Sequence, residues 1–188
     1  NLYNSTFDYI SPGSYGISVF GWDNDTDNQA GVNASAQRWV PGQWLVGSST
    51  SDDQRGASWN FFQIRDCNYF LDQVLPKYEA GQITGSEANI RHYIGEVYML
   101  RAYAYFQKLQ DIGDCPIIET ALPDVEETLV EASKRRPRHM VARFILSDLD
   151  KAISFLSDKT PGGKNRISKD AAYLLRSRVA LYEGTWLK

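Results

Sequence analysis

Beyond the first third of this chain, apolar residues recur at three- and four-residue steps, the spacing that lines one side of a helix. From about Ala57 to Val74, the residues Trp59, Phe62, Ile64, Cys67, Tyr69, Phe70 and Val74 fall on one broad face. This pattern predicts a helix ended by Pro76. A second helix is expected from Thr84, where Thr84 and Glu87 have the spacing of a capping box. Its apolar positions run Ile90, Ile94, Val97, Tyr98, Ala102, Tyr105, Phe106 and Leu109. Gly113 suits its C-terminal turn and Pro116 forbids continuation. Residues 117 to 136 read as a connector. Pro137 to Leu156 reads as a third helix, faced by Val141, Phe144, Ile145, Leu149, Ala152, Ile153 and Leu156. After the turn TPGGKNR, Ser168 caps a fourth helix that runs to about Glu183, with Asp170 placed to favour its dipole.

Residues 1 to 56 show no sustained period. Turn-forming residues recur there, as in GWDNDTDNQAGVNAS. So long an irregular stretch in a globular chain is usually functional or disordered, and its aromatic residues argue against disorder. The expected architecture is therefore all-α, with irregular Trp-rich loops over residues 1–56 and stacked helices over residues 57–188. Within the helical part, the segment VYMLRAYAYFQKLQDIGDCP sets small Ala102 and Ala104 among Tyr98, Tyr103, Tyr105 and Phe106, a mixture suited to close helix crossings. Leu100-Arg101-Ala102 is echoed by Leu175-Arg176-Ser177, each followed by an aromatic residue. Such an echo is how tetratricopeptide-like helical repeats read.

Composition narrows the function more than it names it. The 188 residues carry a net charge of −3, with no basic stripe of the kind that binds nucleic acid. No run of about 18 apolar residues exists to span a bilayer. Cys67 and Cys115 fit no zinc spacing; they read as buried free thiols, with a bridge between them as the alternative. The two histidines, His92 and His139, fall on different helices, and neither a metal nor a cofactor is expected. Asp23, Asp25 and Asp27 fail the calcium-loop template, because Asn28 stands where glycine is needed and Ala34 where the bidentate glutamate belongs. The Asn-x-Ser/Thr sequons at Asn4, Asn24 and Asn33 carry no further argument. Arg101, Arg176 and Arg178 read as stems packed along neighbouring helices, with heads paired to carboxylates.

Three segments in order resemble the SusD/RagB family of nutrient-binding lipoproteins of Bacteroidota: GEVYMLRAYAYFQKLQDIGDCPII, FILSDLDKAISFL and ISKDAAYLLRSRVALYEGTW. A fourth, SWNFFQIRDCNYFLDQV, is similar to the family's early Trp-led helix, with Asn68 and Leu71 in its Asn-x-x-Leu pattern. Members are typically much longer, so the resemblance implies the N-terminal portion of a larger protein. It further implies capture of an oligosaccharide or another nutrient without turnover, and delivery to a TonB-dependent transporter. The setting would be the cell surface of the outer membrane. The opening NLYNSTFDYI lacks the features of a signal peptide, so the lipid anchor is expected outside this chain.

Aromatic residues reach 13%, and four of the five tryptophans lie within the first 60 residues. Sugar rings offer an apolar face and polar edges. Their sites therefore pair flat aromatic rings with amide, carboxylate or guanidinium groups. Trp22 beside Asp23 and Asn24, and Arg38 beside Trp39 with Trp44 nearby, have that composition. The candidate ligand-binding residues are Trp22, Asn24, Arg38, Trp39 and Trp44, whereas Trp59, which opens a helix, is expected in the core. Two other readings compete. One is a helical-repeat scaffold that docks proteins without a small ligand. The other is a glycoside hydrolase. It is disfavoured because the adjacent Asp52 and Asp53 do not readily converge on one glycosidic bond.

Overall fold

The structure, a computed structural model, describes residues 59–161 and 166–186. They form five helices: α1 (Phe62–Glu79), α2 (Glu87–Asp111), α3 (Glu126–Ala132), α4 (Arg138–Phe155) and α5 (Lys169–Trp186). No strand occurs among the described residues, only a single bridge between Cys115 and Arg136. The long α2 is the centre. It packs chiefly on α4 and also on α1, and α4 in turn carries α5.

The heart of α2 is buried nearly all round, from Ile94 to Ala102 and on through Ala104, Tyr105, Phe106 and Leu109. A helix hydrophobic on every side belongs inside a stack of neighbours. Ala102 and Ala104 are both buried. A Cβ on Gly95 would sit 2.9 Å from both Leu156 Cγ and the Leu156 backbone nitrogen, so only glycine allows the end of α4 to come this close. Leu100 and Leu175 of the internal echo are both buried, but Arg101 is buried and Arg176 is not.

Four expectations change. First, α1 begins at Phe62 rather than Ala57 and runs through Pro76 to Glu79. Proline there costs one bond in the last turn, while its carbonyl still accepts the Ala80 N–H. The true stop is Gly81, at φ 66°. Gly81 N–H bonds Tyr78 O and Gln82 N–H bonds Lys77 O, the paired bonds of a Schellman turn. Second, the Thr84–Glu87 capping box does not form. Gly85 at φ 136° turns the chain, and α2 starts from Ser86. Third, the connector contains α3, opened by Glu126 and Glu127 at the positive end of its dipole. It buries no residue, so it left no apolar stripe to read. Fourth, Trp59 is 40% exposed rather than core. Its ring lies against the Arg135 guanidinium, 4.5 Å from the centroid.

The face of α1 is also narrower than its apolar pattern. Ile64, Cys67, Asn68 and Leu71 are buried, whereas Phe62 and Tyr69 lie on the opposite side. Ser168 does cap α5, its Oγ accepting the Ala171 N–H at 3.2 Å. Both cysteines are free and buried.

The close crossing gives a direct test. Gly95→Ala should gain helix propensity yet lose stability, by about 1–3 kcal/mol for an overpacked crossing. Thermal unfolding should show a lower Tm; an unchanged or higher Tm would contradict the contact.

Candidate functional site

Trp22, Asn24, Arg38, Trp39 and Trp44 lie outside the described residues, as do Asp23, Asp25 and Asp27. The described residues supply the scaffold and its two buried polar junctions.

The first junction centres on Arg101 of α2. Its Nε donates to Asp148 Oδ2 at 2.7 Å and its Nη2 to Asp148 Oδ1 at 2.8 Å, a two-pronged pair with α4. Nη1 donates to Asn68 Oδ1 of α1 at 2.7 Å and to the Glu119 carbonyl at 3.0 Å. Asn68 passes the network on, its Nδ2 donating to the carbonyls of Ile118 at 2.9 Å and Thr120 at 3.2 Å. Tyr105 Oη accepts the Ile118 N–H at 2.7 Å, and Asp72 Oδ2 accepts the Ala121 N–H at 2.7 Å. One buried cation thus joins three helices and the chain leaving α2. The guanidinium also lies near the rings of Tyr98 and Phe144. Burial pushes the Asp148 carboxyl up, against the pull of Arg101, and the paired carboxylate holds Arg101 firmly charged despite burial. Arg176 has a surface version of the same pairing, with Asp150 at 2.7 Å, while Arg178 is exposed.

The second junction is His92 and Glu96 of α2 with Arg166. His92 Nδ1 accepts the Ser157 N–H at 3.1 Å, which leaves the proton of the neutral ring on Nε2, 3.4 Å from Glu96 Oε1. Glu96 also takes two bonds from Arg166, one of them from Nε at 2.8 Å. Burial holds the His92 pKa below its ordinary value, in spite of Glu96.

These groups are arranged for packing and anchoring. Every buried carboxylate among the described residues (Glu96, Asp148, Glu183) meets an arginine. Burial pushes the Cys67 thiol up to about 12 and the Cys115 thiol up to about 11, far from a reactive thiolate. No group of three metal-ligating side chains occurs among the described residues, and no described helix is long and apolar enough to cross a membrane. Asn68 and Asp148 were legible only through the family pattern that contains them. A lone Asn on an apolar face gives no other signal that it clamps a connector.

Comparison with known proteins adds the following. Residues 10–181 match the model of a SusD-like family described as starch-binding and associating with the outer membrane. A SusD-like protein P2 of Formosa agariphila is 29% identical over 109 residues, which is 58% of this chain and 21% of that protein. Among solved structures, a SusD-like protein of Bacteroides fragilis superposes with a TM-score of 0.58 at 32% identity, over 72% of this chain and 25% of that one. A laminarin-binding SusD-like protein gives 0.57 at 24% identity, over 69% and 27% of the two chains, a likeness of fold. The chain thus spans about a fifth of the curated relative and about a quarter of the solved ones.

Two measurements test the junctions. Asp148→Ala strands a buried guanidinium and should cost about 3–5 kcal/mol in urea unfolding. Asp150→Ala, which breaks the exposed pair with Arg176, should cost less than about 1 kcal/mol. Equal effects would contradict the distinction. The His92 pKa is lower folded than unfolded, so the unfolded chain takes the proton first as pH falls. Stability should drop as pH passes below the ordinary histidine value and level off below the folded one. Urea midpoints at neutral and mildly acidic pH should show a smaller drop for His92→Gln than for the wild type.

Proposed function

Because the chain belongs to the SusD-like family of starch-binding, outer-membrane-associated proteins, we propose that it takes part in capturing oligosaccharide at the cell surface without cleaving it. The match over residues 10–181 carries this reading. The described helices support it. Their buried carboxylates are tied to arginines and their thiols are held protonated, which suits a rigid support rather than a reaction centre. Binding residues concentrate on loops held by such supports. On this reading Trp22, Asn24, Arg38, Trp39 and Trp44 stack on and hydrogen-bond the sugar. The captured glycan, or another nutrient, passes to a TonB-dependent transporter in the same membrane.

A second reading, docking of a protein partner, is favoured by one observation. Leu174 and Leu181 of α5 are exposed with Tyr173 beside them, an aliphatic surface better suited to another helix than to a sugar.

Calorimetry against soluble starch, laminarin and other polysaccharides is the test. The expected result is binding to at least one, with no release of reducing ends on prolonged incubation. Trp39→Ala or Trp44→Ala should weaken that binding about tenfold with little change in Tm. Release of reducing ends would contradict the proposal, and a large fall in Tm would assign the tryptophan to the core.

A further inference from the structure

The end of α4 is fastened to the first half of α2 by several side chains of that helix. Arg91 donates from Nη2 to the Ser154 carbonyl at 3.0 Å, with its guanidinium over the Phe155 ring. Tyr98 stacks on the same ring, 6.1 Å between centroids. Gly95 lets Leu156 come against the α2 backbone. His92 then takes the first N–H beyond the α4 cap, Ser157 N–H donating to its Nδ1 at 3.1 Å. One turn further along α2, Glu96 holds Arg166, shortly before α5 begins. These ties fix where α4 ends and where the chain sets out toward α5.

One of these ties depends on an acceptor that titrates. A backbone N–H can only donate, so Nδ1 of His92 must stay unprotonated to receive Ser157. The neutral ring meets that demand, with its proton on Nε2, 3.4 Å from Glu96 Oε1. A second proton would go to Nδ1 and set two N–H groups against each other. The ring is fully buried, so the new charge reaches water only if the joint moves. Burial opposes the second proton most, and Arg166 opposes it too. Glu96 and the Ile167 carbonyl favour it, and the balance leaves the pKa below its ordinary value. Glu96 already holds Arg166, so a protonated His92 would share one carboxylate with that guanidinium. The Tyr93 ring stands edge-on to His92 and carries the Arg166 guanidinium on its face, 4.6 Å from the centroid. Asp158, beside Ser157, is exposed and paired with Lys169 at 3.0 Å.

We infer that His92 makes the joint between α2 and the end of α4 acid-labile: when the ring takes a second proton, Ser157 loses its acceptor and the end of α4 lifts from α2, while the Arg101 junction stays closed. The two junctions differ in the group that matters. The Arg101 junction holds no histidine, and its guanidinium keeps its charge at any physiological pH. With the joint open, His92 meets water and binds a proton at its ordinary value; with the joint closed it binds one less readily. Opening therefore becomes more favourable as pH falls below the ordinary histidine value, by up to about tenfold per pH unit, and levels off below the closed-state value. This is a local change within the folded chain, beyond the loss of overall stability, and it does not depend on what the chain binds.

Amide hydrogen exchange of the native chain from neutral to mildly acidic pH tests the joint, each rate being divided by the intrinsic rate of an unstructured peptide at the same pH. Protection of the Ser157 amide should fall by up to about tenfold per pH unit below the ordinary histidine range, while the Ile118 amide keeps its protection. The His92→Gln side chain has a carbonyl that accepts an N–H without titrating, so in that variant Ser157 protection should not change with pH. Glu96, Asp158 and Arg166 remain in place there, and any pH dependence they cause would survive. Constant Ser157 protection in the wild type overturns the joint. A parallel fall at Ile118 overturns it as well, because the whole stack would then be opening. So does a pH dependence that persists in His92→Gln. The wild type also decides without the variant. The ring resonances of His92, distinguished from those of the exposed His139, should titrate over the span in which Ser157 loses protection, and titration over a different span overturns the joint.

Discussion

The fold depends on how a charge that cannot be neutralised is kept out of water. Arginine stays protonated at any physiological pH, so burying Arg101 obliges the chain to surround it with acceptors. The acceptors come from everything α2 touches: Asp148 from α4, Asn68 from α1 and the Glu119 carbonyl from the chain beyond α2. Such a pair gives little net stability over an apolar replacement, but half of it is costly to leave behind. Its value here lies in position. This arrangement of three helices satisfies the guanidinium, and in it the carbonyls of Ile118, Glu119 and Thr120 also find donors. The stretch from Ile118 to Ala121 has no helix or sheet to use its backbone groups. Side chains of α1 and α2 complete it instead.

The helices were readable because burial writes a period into the sequence. α2 and α4 announce themselves through apolar steps, and α5 through its serine cap. The errors fall where that period is absent or misleading. α3 buries no residue and leaves no stripe. The aromatic residues of α1 imitate a core face, yet the buried face is set by Ile64, Cys67, Asn68 and Leu71, with a polar residue among its four. The pattern of hydrophobic letters does not distinguish a ring that packs from a ring that stands at the surface. The end of α1 is a matter of backbone sign, since Gly81 adopts a left-handed turn that Pro76 does not forbid.

The candidate site was legible in a different way. Tryptophans beside amides and arginines suggest sugar chemistry, but composition does not say which of them converge. Trp22, Asn24, Arg38, Trp39 and Trp44 remain a proposal on that ground, outside the described residues. Phe62 and Tyr69 were misassigned because their identity is apolar, and the structure reclassifies them by exposure. Buried carboxylates and arginines inside the stack are spent on one another, as at Arg101–Asp148 and Arg166–Glu96.

One buried arginine fastens the chain after α2 to the helices and makes a single rigid support. Native-state hydrogen exchange of the Ile118 and Ala121 amides measures this most directly. If Arg101, Asn68, Tyr105 and Asp72 hold the segment as described, both amides should exchange only through unfolding that also opens the core of α2, and so show nearly the same opening free energy as that core. Exchange at the rate of an exposed loop, with the α2 core still protected, would contradict the account.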